Sequence, residues 1–313
     1  INVRTVDSTF TNTVGCGVGG IVGTKGVKSF IVGGVGAEPL ELPFMVSLQV
    51  FSTIHGNKFV NFCGGSVLNE RWILTAAHCV EPLMPSDIKL IIGAVYYDNY
   101  TDENVYKTDK WVINGCYKFD KMDFMAEDIA LIHTETAIKI NGQNIAAICL
   151  PAPGVQPIGS DVWIAGWGVW DPDWEEPSRK LQKVYTKIVN EEMCHVYEWF
   201  RNVGLWRFPE GIRFCVMNED STVCRGDSGG PLMQIMNGTG DSGGPLMQIM
   251  NGTVYQLGIA SFISVTLPVF NRCSKGNPAF YLKTERLNQW IGDTIAKYDQ
   301  MATIDETIFK TKC

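Results

Sequence analysis

From Phe44 onward the chain alternates short β-branched and aromatic runs with clusters of Gly, Pro and Asn; the runs lie at 44–50, 88–92, 129–133, 181–189 and 254–262. Apolar runs of this length between turn formers predict strands, and their recurrence predicts antiparallel β structure. A helical period shows only near the end, where Leu287, Trp290, Ile291, Ile295 and Tyr298 fall on one face and Thr284 is placed to cap the first turn. Residues 1–30 are polar and glycine-rich with neither period, which predicts a pro-segment ahead of a folded domain at 31–313.

One stretch breaks the pattern. Residues 226–239 read GDSGGPLMQIMNGT, and residues 240–253 read the same again. Solenoid repeats diverge and need several units to bury a continuous core, so a single perfect copy is no solenoid. It points to a recent duplication or to an error in assembling the sequence.

Composition narrows the function classes. With 313 residues and 45% hydrophobic content the chain is long enough for a large core. Its 33 acidic against 26 basic residues, a formal charge of -7, argue against a surface that tracks nucleic-acid phosphates. No uninterrupted apolar run is long enough to cross a bilayer, so no membrane partner is expected. The chain starts at Ile1 without a methionine or an apolar leader, which fits a signal peptide removed or not recorded. Ten cysteines are scattered rather than set in paired CxxC spacing, which favours disulfides over a metal site and places the protein outside the cytosol, as a secreted one. Sequons at Asn99, Asn237 and Asn251 agree with that, and would make it a glycoprotein.

Acyl transfer at a peptide carbonyl needs a nucleophile, a base, a group that orients the base, and donors for the oxyanion. The segment Leu74-Thr75-Ala76-Ala77-His78-Cys79 offers a histidine. Taken alone it is weak evidence, because a lone histidine is more often a packed or surface residue. Asp128 stands at the mouth of the apolar run Ile129-Ala130-Leu131-Ile132, where a buried carboxylate is costly unless hydrogen-bonded. It is either a strand-end turn residue or the acceptor for the His78 Nδ1 proton, and Ser261 is placed to bond the same carboxylate. Gly226-Asp227-Ser228-Gly229-Gly230-Pro231 is the most specific signal: its glycines permit turns in which the N–H groups of Gly226 and Ser228 converge on one oxygen.

IVGG at 31–34, TAAHC at 75–79, DIAL at 128–131 and GDSGGP at 226–231, in that order, resemble the chymotrypsin family from about Cys16 onward. The resemblance implies an all-β fold of two six-stranded antiparallel barrels, with the active site in the cleft between them and a C-terminal helix. It implies a secreted serine endopeptidase acting through an acyl-enzyme, with His78 as base then acid, Asp128 as orienting anion and Ser228 as nucleophile. It also implies a zymogen activated by cleavage before Ile31, whose new ammonium would pair with Asp227. Phe30 stands where relatives usually carry Arg or Lys, so a chymotrypsin-like activator, self-cleavage or a different processing site is needed.

The same resemblance pairs Cys63 with Cys79, Cys194 with Cys215, Cys224 with Cys273, and Cys16 with Cys149, leaving Cys116 and Cys313 as the last pair. Another family disulfide is missing at both ends, where Val162 and Gln234 stand. Thr222 takes the pocket-floor position in place of an aspartate, while Ser261, Ile263 and Ala279 line the walls. A shallow apolar pocket, preferring small or medium apolar residues before the scissile bond, is expected. Ser228 keeps the family spacing to Cys224, whereas choosing Ser242 in the second copy inserts fourteen additional residues between that cysteine and the oxyanion turn. No cofactor and no metal are expected; Ala94, after Gly93, stands where calcium-binding relatives carry a carboxylate. Expected partners are protein or peptide substrates, protein inhibitors and an activating protease, around a monomer. The alternative is a non-catalytic homologue that binds a partner, its cleft spoiled by the duplication.

Overall fold

The computed structural model describes residues 10–19, 34–119, 126–157, 159, 161–169, 177–190, 211–219, 223–236, 252–263, 276, 278–299 and 308–313. The strands in chain order are β1 (Val35–Gly36), β2 (Met45–Ser52), β3 (Lys58–Val67), β4 (Trp72–Thr75), β5 (Ile88–Ile92), β6 (Val105–Ile113) and β7 (Ala130–Thr134). They continue with β8 (Asp161–Gly166), β9 (Gln182–Val189), β10 (Arg213–Met217), β11 (Pro231–Met236), β12 (Thr253–Ile263), β13 (Ala279–Lys283) and β14 (Ile308–Lys310). A single helical turn, α1 (Ala77–Val80), follows β4, and a longer helix, α2 (Asn288–Asp299), follows β13.

Strands β2 to β7 close into one antiparallel barrel in the order β2-β3-β4-β7-β6-β5, and β8 to β13 close into a second in the order β8-β9-β10-β13-β12-β11. This is the expected pair of six-stranded barrels. Each carries one strand more than expected: β1 pairs antiparallel with β9 of the second barrel, and β14 pairs parallel with β6 of the first.

The strands close because their inward positions are apolar and large. Leu48, Ile73, Leu90 and Trp111 fill the first barrel at 0% exposure, and Val162, Leu232, Leu257 and Tyr281 form the centre of the second. Each such side chain contributes roughly 1.5–3 kcal/mol on burial. Between the barrels Ser66 Oγ donates to Gln256 Oε1 at 2.5 Å and Gly64 N–H to Ser228 O at 2.7 Å, so β3 of one barrel is bonded to β12 and to the turn before β11 of the other.

At α2 the expected apolar face is buried at Ile291, Ile295 and Tyr298. The expected cap is corrected. Thr284 Oγ1 donates to the Gln256 carbonyl at 2.7 Å instead of receiving a helix N–H, and the first helical carbonyl is that of Leu287, which accepts from Ile291. Thr284 lies fully buried against β12, where an unbonded hydroxyl would be costly, and the nearby strand carbonyl takes it.

Residues 10–19 lie against the domain. Phe10 N–H donates to Asn288 Oδ1, Asn12 exchanges two hydrogen bonds with Leu150, and Cys16 is disulfide-bonded to Cys149. Strand β11 is made by the first copy of the duplicated sequence, and its last pair with β12 is Met236 with Thr253. The second copy lies outside the described residues apart from Gly252 and Thr253, as do Ser242 and the remainder of 1–30.

Candidate active site

Pairing of β4 with β7, Thr75 opposite Ala130, brings the residues just after one strand beside those just before the other. His78 on α1 thereby meets Asp128. The turn of α1 is held by burial of Ala77, Cys79 and Val80 and by the disulfide from Cys79 to Cys63 on β3. Ahead of Asp128 the backbone is strained: Glu127 has φ 48°, a left-handed conformation that costs a non-glycine residue energy, and its carboxylate is ion-paired with Arg286 at 3.1 Å.

Asp128 is completely buried and accepts three hydrogen bonds. His78 N–H donates to Oδ1 at 2.9 Å, and His78 Nδ1 and Ser261 Oγ donate to Oδ2 at 2.8 and 2.6 Å. Ser261 reaches across from the second barrel because β12 carries a bulge there: Ala260 pairs with Tyr281 and Phe262 with Phe280, which leaves Ser261 as the extra residue. Burial pulls the His78 pKa down, but the Asp128 charge and its hydrogen bond outweigh it, so the imidazole titrates above its ordinary value. Burial pushes Asp128 up, and the His78 charge with the hydrogen bonds from His78 and Ser261 outweighs that, so its carboxyl stays below the usual range. The pair therefore fixes an imidazole with Nδ1 toward the carboxylate and Nε2 turned away.

Ser228 sits in the turn from Cys224 to Pro231. Two glycines there adopt left-handed backbone, Gly226 at φ 94° and Gly229 at φ 78°. At Gly229 a side chain would also strike Thr75 and the Gly64 carbonyl. The turn is tied to both barrels: Gly229 N–H donates to Ala260 O at 2.7 Å and Asn61 Nδ2 to Gly226 O at 3.1 Å. Among the described residues the N–H groups of Gly226 and Ser228 meet no acceptor. Ser228 and His78 line one pocket of about 240 Å³.

The same pocket is walled by Val223, Ala279, Phe280 and Tyr281, with Phe262 stacked on Phe280 at 4.5 Å between ring centroids. Ala279 and Ser261 are thus in the pocket wall. Ile263 pairs with Ala279 across β12 and β13, while Thr222 and Ile31 lie outside the described residues.

Asp227 also borders this pocket and is buried. It accepts from Gly168 N–H at 2.8 Å and Cys224 N–H at 2.9 Å, and burial pushes its carboxyl up to about 6 in spite of those bonds. Gly166 and Gly168 are needed there, since a Cβ at either would run into the Asp227 carboxylate. Neither glycine, nor Glu127, was singled out by sequence reasoning. The one available signal was the Gly-Trp-Gly run at 166–168, whose use depends on a residue about sixty positions away.

Of the five expected disulfides, Cys16–Cys149, Cys63–Cys79 and Cys116–Cys313 are present. Cys215 and Cys224 are also disulfide-bonded, with partners outside the described residues, where Cys194 and Cys273 fall. At the missing family disulfide, Gln234 Nε2 donates to Asp161 O at 3.0 Å, so a strand-to-strand hydrogen bond lies beside Val162. Cys63, His78 and Cys79 place three potential metal-binding atoms together, but both sulfurs are consumed by their disulfide and no thiolate is left to ligate.

A family model described as Trypsin matches residues 31–238. Among curated proteins, the chain is similar to "Trypsin Tyr p 3.0101" of Tyrophagus putrescentiae, 34% identical over 214 residues, which covers 67% of this chain and 69% of that one. It is also similar to "Serine proteinase stubble" of Drosophila melanogaster, 32% identical over 207 residues, which covers 64% of this chain and 25% of that protein.

Proposed function

Because the chain belongs to the trypsin family of serine proteases, we propose that it is a secreted serine endopeptidase working through His78, Asp128 and Ser228. The observation that carries the reading is the buried Asp128 carboxylate bonded to both nitrogens of His78 that face it, with His78 lining a pocket together with Ser228. As the Ser228 Oγ–carbon bond forms, His78 Nε2 takes the hydroxyl proton and the imidazolium is held by Asp128. The oxyanion is accepted by the N–H groups of Gly226 and Ser228, each donor being worth about 3 kcal/mol in the transition state. His78 then gives its proton to the leaving amine, and a water repeats the cycle on the acyl-enzyme.

Residues 1–30 are the pro-segment and 31–313 the protease domain. Cleavage before Ile31 would free an ammonium to pair with Asp227, and the upward displacement of that carboxyl supports a need for a cation there. An apolar pocket with Ala279, Val223 and two stacked phenylalanines supports preference for small or medium apolar residues before the scissile bond. Peptide amides with Ala, Val or Leu at that position should show higher kcat/KM than the arginine analogue, and efficient arginine turnover would overturn the specificity. The disulfides support secretion.

The test of catalysis is fluorophosphonate labelling of protein cleaved before Ile31, with fragment mass spectrometry across 226–253. Label on Ser228, absent from Ser228→Ala, is expected. Label on Ser242 would keep the protease and move the nucleophile. No label on folded, cleaved protein would make the chain a non-catalytic relative that binds a partner.

A further inference from the structure

Outside the pocket, one segment touches residues that adjoin both members of the His78–Asp128 pair. Strand β14 lies parallel to β6 with Ile308 opposite Trp111, Phe309 opposite Val112 and Lys310 opposite Ile113. Beyond it Thr311 N–H donates to Ile113 O at 3.1 Å, and Thr311 Oγ1 accepts from Gly115 N–H at 2.9 Å and from Trp290 Nε1 of α2 at 3.1 Å. Cys313 closes the contact through its disulfide to Cys116. The approach is so close that a Cβ at Gly115 would run into the Thr311 carbonyl.

The residues held in this way lead straight to Asp128. Asn114 N–H donates to Ile129 O at 3.2 Å, its side chain accepts from Cys116 N–H at 2.9 Å, and its carbonyl accepts from Tyr117 N–H at 3.0 Å. Tyr117 is buried, and its hydroxyl is pushed well above its usual range by burial and then by the charges of Asp128 and Glu81. On the other side Lys310 Nζ is 3.6 Å from Glu81, whose N–H caps α1 by donating to Ala77 O, and the same ammonium stands 5.7 Å over the Tyr117 ring. The Lys310–Glu81 pair is half exposed and contributes little by itself. The disulfide and the two hydrogen bonds to Thr311 are the restraints that count.

We propose that residues 308–313 are a positioning strap for the His78–Asp128 pair, fixing the segment 114–117 beside Ile129 and the end of α1 in one frame. The strap touches no substrate; its residues act through Asn114, Tyr117 and Glu81. The proposal rests on the reading of His78 and Asp128 as the catalytic pair, but its effect on their geometry is measurable without turnover.

The experiment compares wild type, the double variant Cys116→Ser/Cys313→Ser, Thr311→Val and Thr311→Ser, all cleaved before Ile31. Two signals are read: the low-field proton resonance of His78 Nδ1 with its exchange rate with water, and kcat and KM on an apolar peptide amide. In Thr311→Val and in the double variant the resonance should exchange several-fold faster, and kcat should fall about tenfold with KM within twofold, as expected for a small misplacement of catalytic groups. Thr311→Ser, which keeps the hydroxyl, should behave as wild type. Should the double variant fail to fold, Thr311→Val carries the test alone. Unchanged exchange and unchanged kcat in Thr311→Val would overturn the strap, as would a loss equal in Thr311→Ser and Thr311→Val. A changed resonance in a protein whose wild type shows no turnover would keep the strap and remove the protease reading.

Discussion

Asp128 is a carboxylate with no exposure, surrounded by three donors, and its cost of burial is met only while all three are present. Replacing it by Asn removes the charge that holds the His78 tautomer, so kcat should fall by on the order of 10⁴, the scale typical of losing the orienting anion in such triads. The pH dependence has a definite sign. In the proposed role of base His78 must be neutral, and its pKa stands above the ordinary 6.5, so the acid limb of kcat/KM in the wild type should lie above pH 6.5. In Asp128→Asn the burial that lowers the pKa acts unopposed, and the residual activity should show its acid limb moved to lower pH. A stopped-assay pH profile of both proteins checks this.

Asp227 responds in the opposite sense. Its folded pKa of about 6 exceeds the ordinary 3.8, so the uncleaved protein binds more protons folded than unfolded between those values. Stability from this group is full below pH 3.8 and is lost as pH rises through about 6, by on the order of 3 kcal/mol. Urea unfolding of uncleaved wild type and Asp227→Asn should show the wild type losing that much relative to the variant between pH 4 and 7. Cleaved protein, with an ammonium available, should not show the loss. At this scale the meeting of His78, Asp128 and Ser261 was legible because each sits in a short local motif. Gly166, Gly168 and Glu127 were not, because what constrains them is a carboxylate or a backbone angle met only after folding.

Among the elements, the hairpin of β11 and β12 is the one that the duplication changes. Met236 pairs with Thr253, so the sequence between the paired ends, 237–252, contains nearly a whole copy of the motif. Deleting 240–253 leaves Met236-Asn237-Gly238-Thr239 running into Val254, and Thr239 then takes the place of Thr253. A two-residue Asn-Gly loop is the favoured closure for an antiparallel hairpin. Shortening the connection should raise stability by about 1–2 kcal/mol from loop entropy and leave kcat/KM unchanged. Thermal unfolding and a peptide assay on the deletion variant measure both, and lost activity would show that the oxyanion turn depends on the second copy. Strands such as β5 and β9 were legible to within a residue or two because they are continuous apolar runs. Strand β3 was not, since Asn61, Gly64 and Gly65 interrupt it; those positions are needed where it meets Ser47 and the Ser228 turn.

For the molecule as a whole, the two barrels are joined by more than their facing walls. Strand β1 precedes the first barrel and pairs with the second, and β14 follows the second and pairs with the first, so each barrel is edged by a strand from the other's side of the chain. The barrel plan could be inferred from motif order, but this exchange could not, because two- and three-residue strands carry no readable period. Residues 10–19 add a third tie, to the Leu150 and α2 region, through Asn12, Phe10 and the Cys16–Cys149 disulfide. None of these contacts involves the bond before Ile31. Cleavage there should therefore leave the N-terminal segment bound: one band on a gel without reductant, two with it, and unchanged activity while the disulfide is intact. Cys16→Ser, combined with Cys149→Ser so that no free thiol remains, should release the segment slowly, since two hydrogen bonds to Leu150 and a buried Phe10 persist. If cleaved wild type lost the segment without reductant, the docking of 10–19 would belong to the uncleaved chain alone.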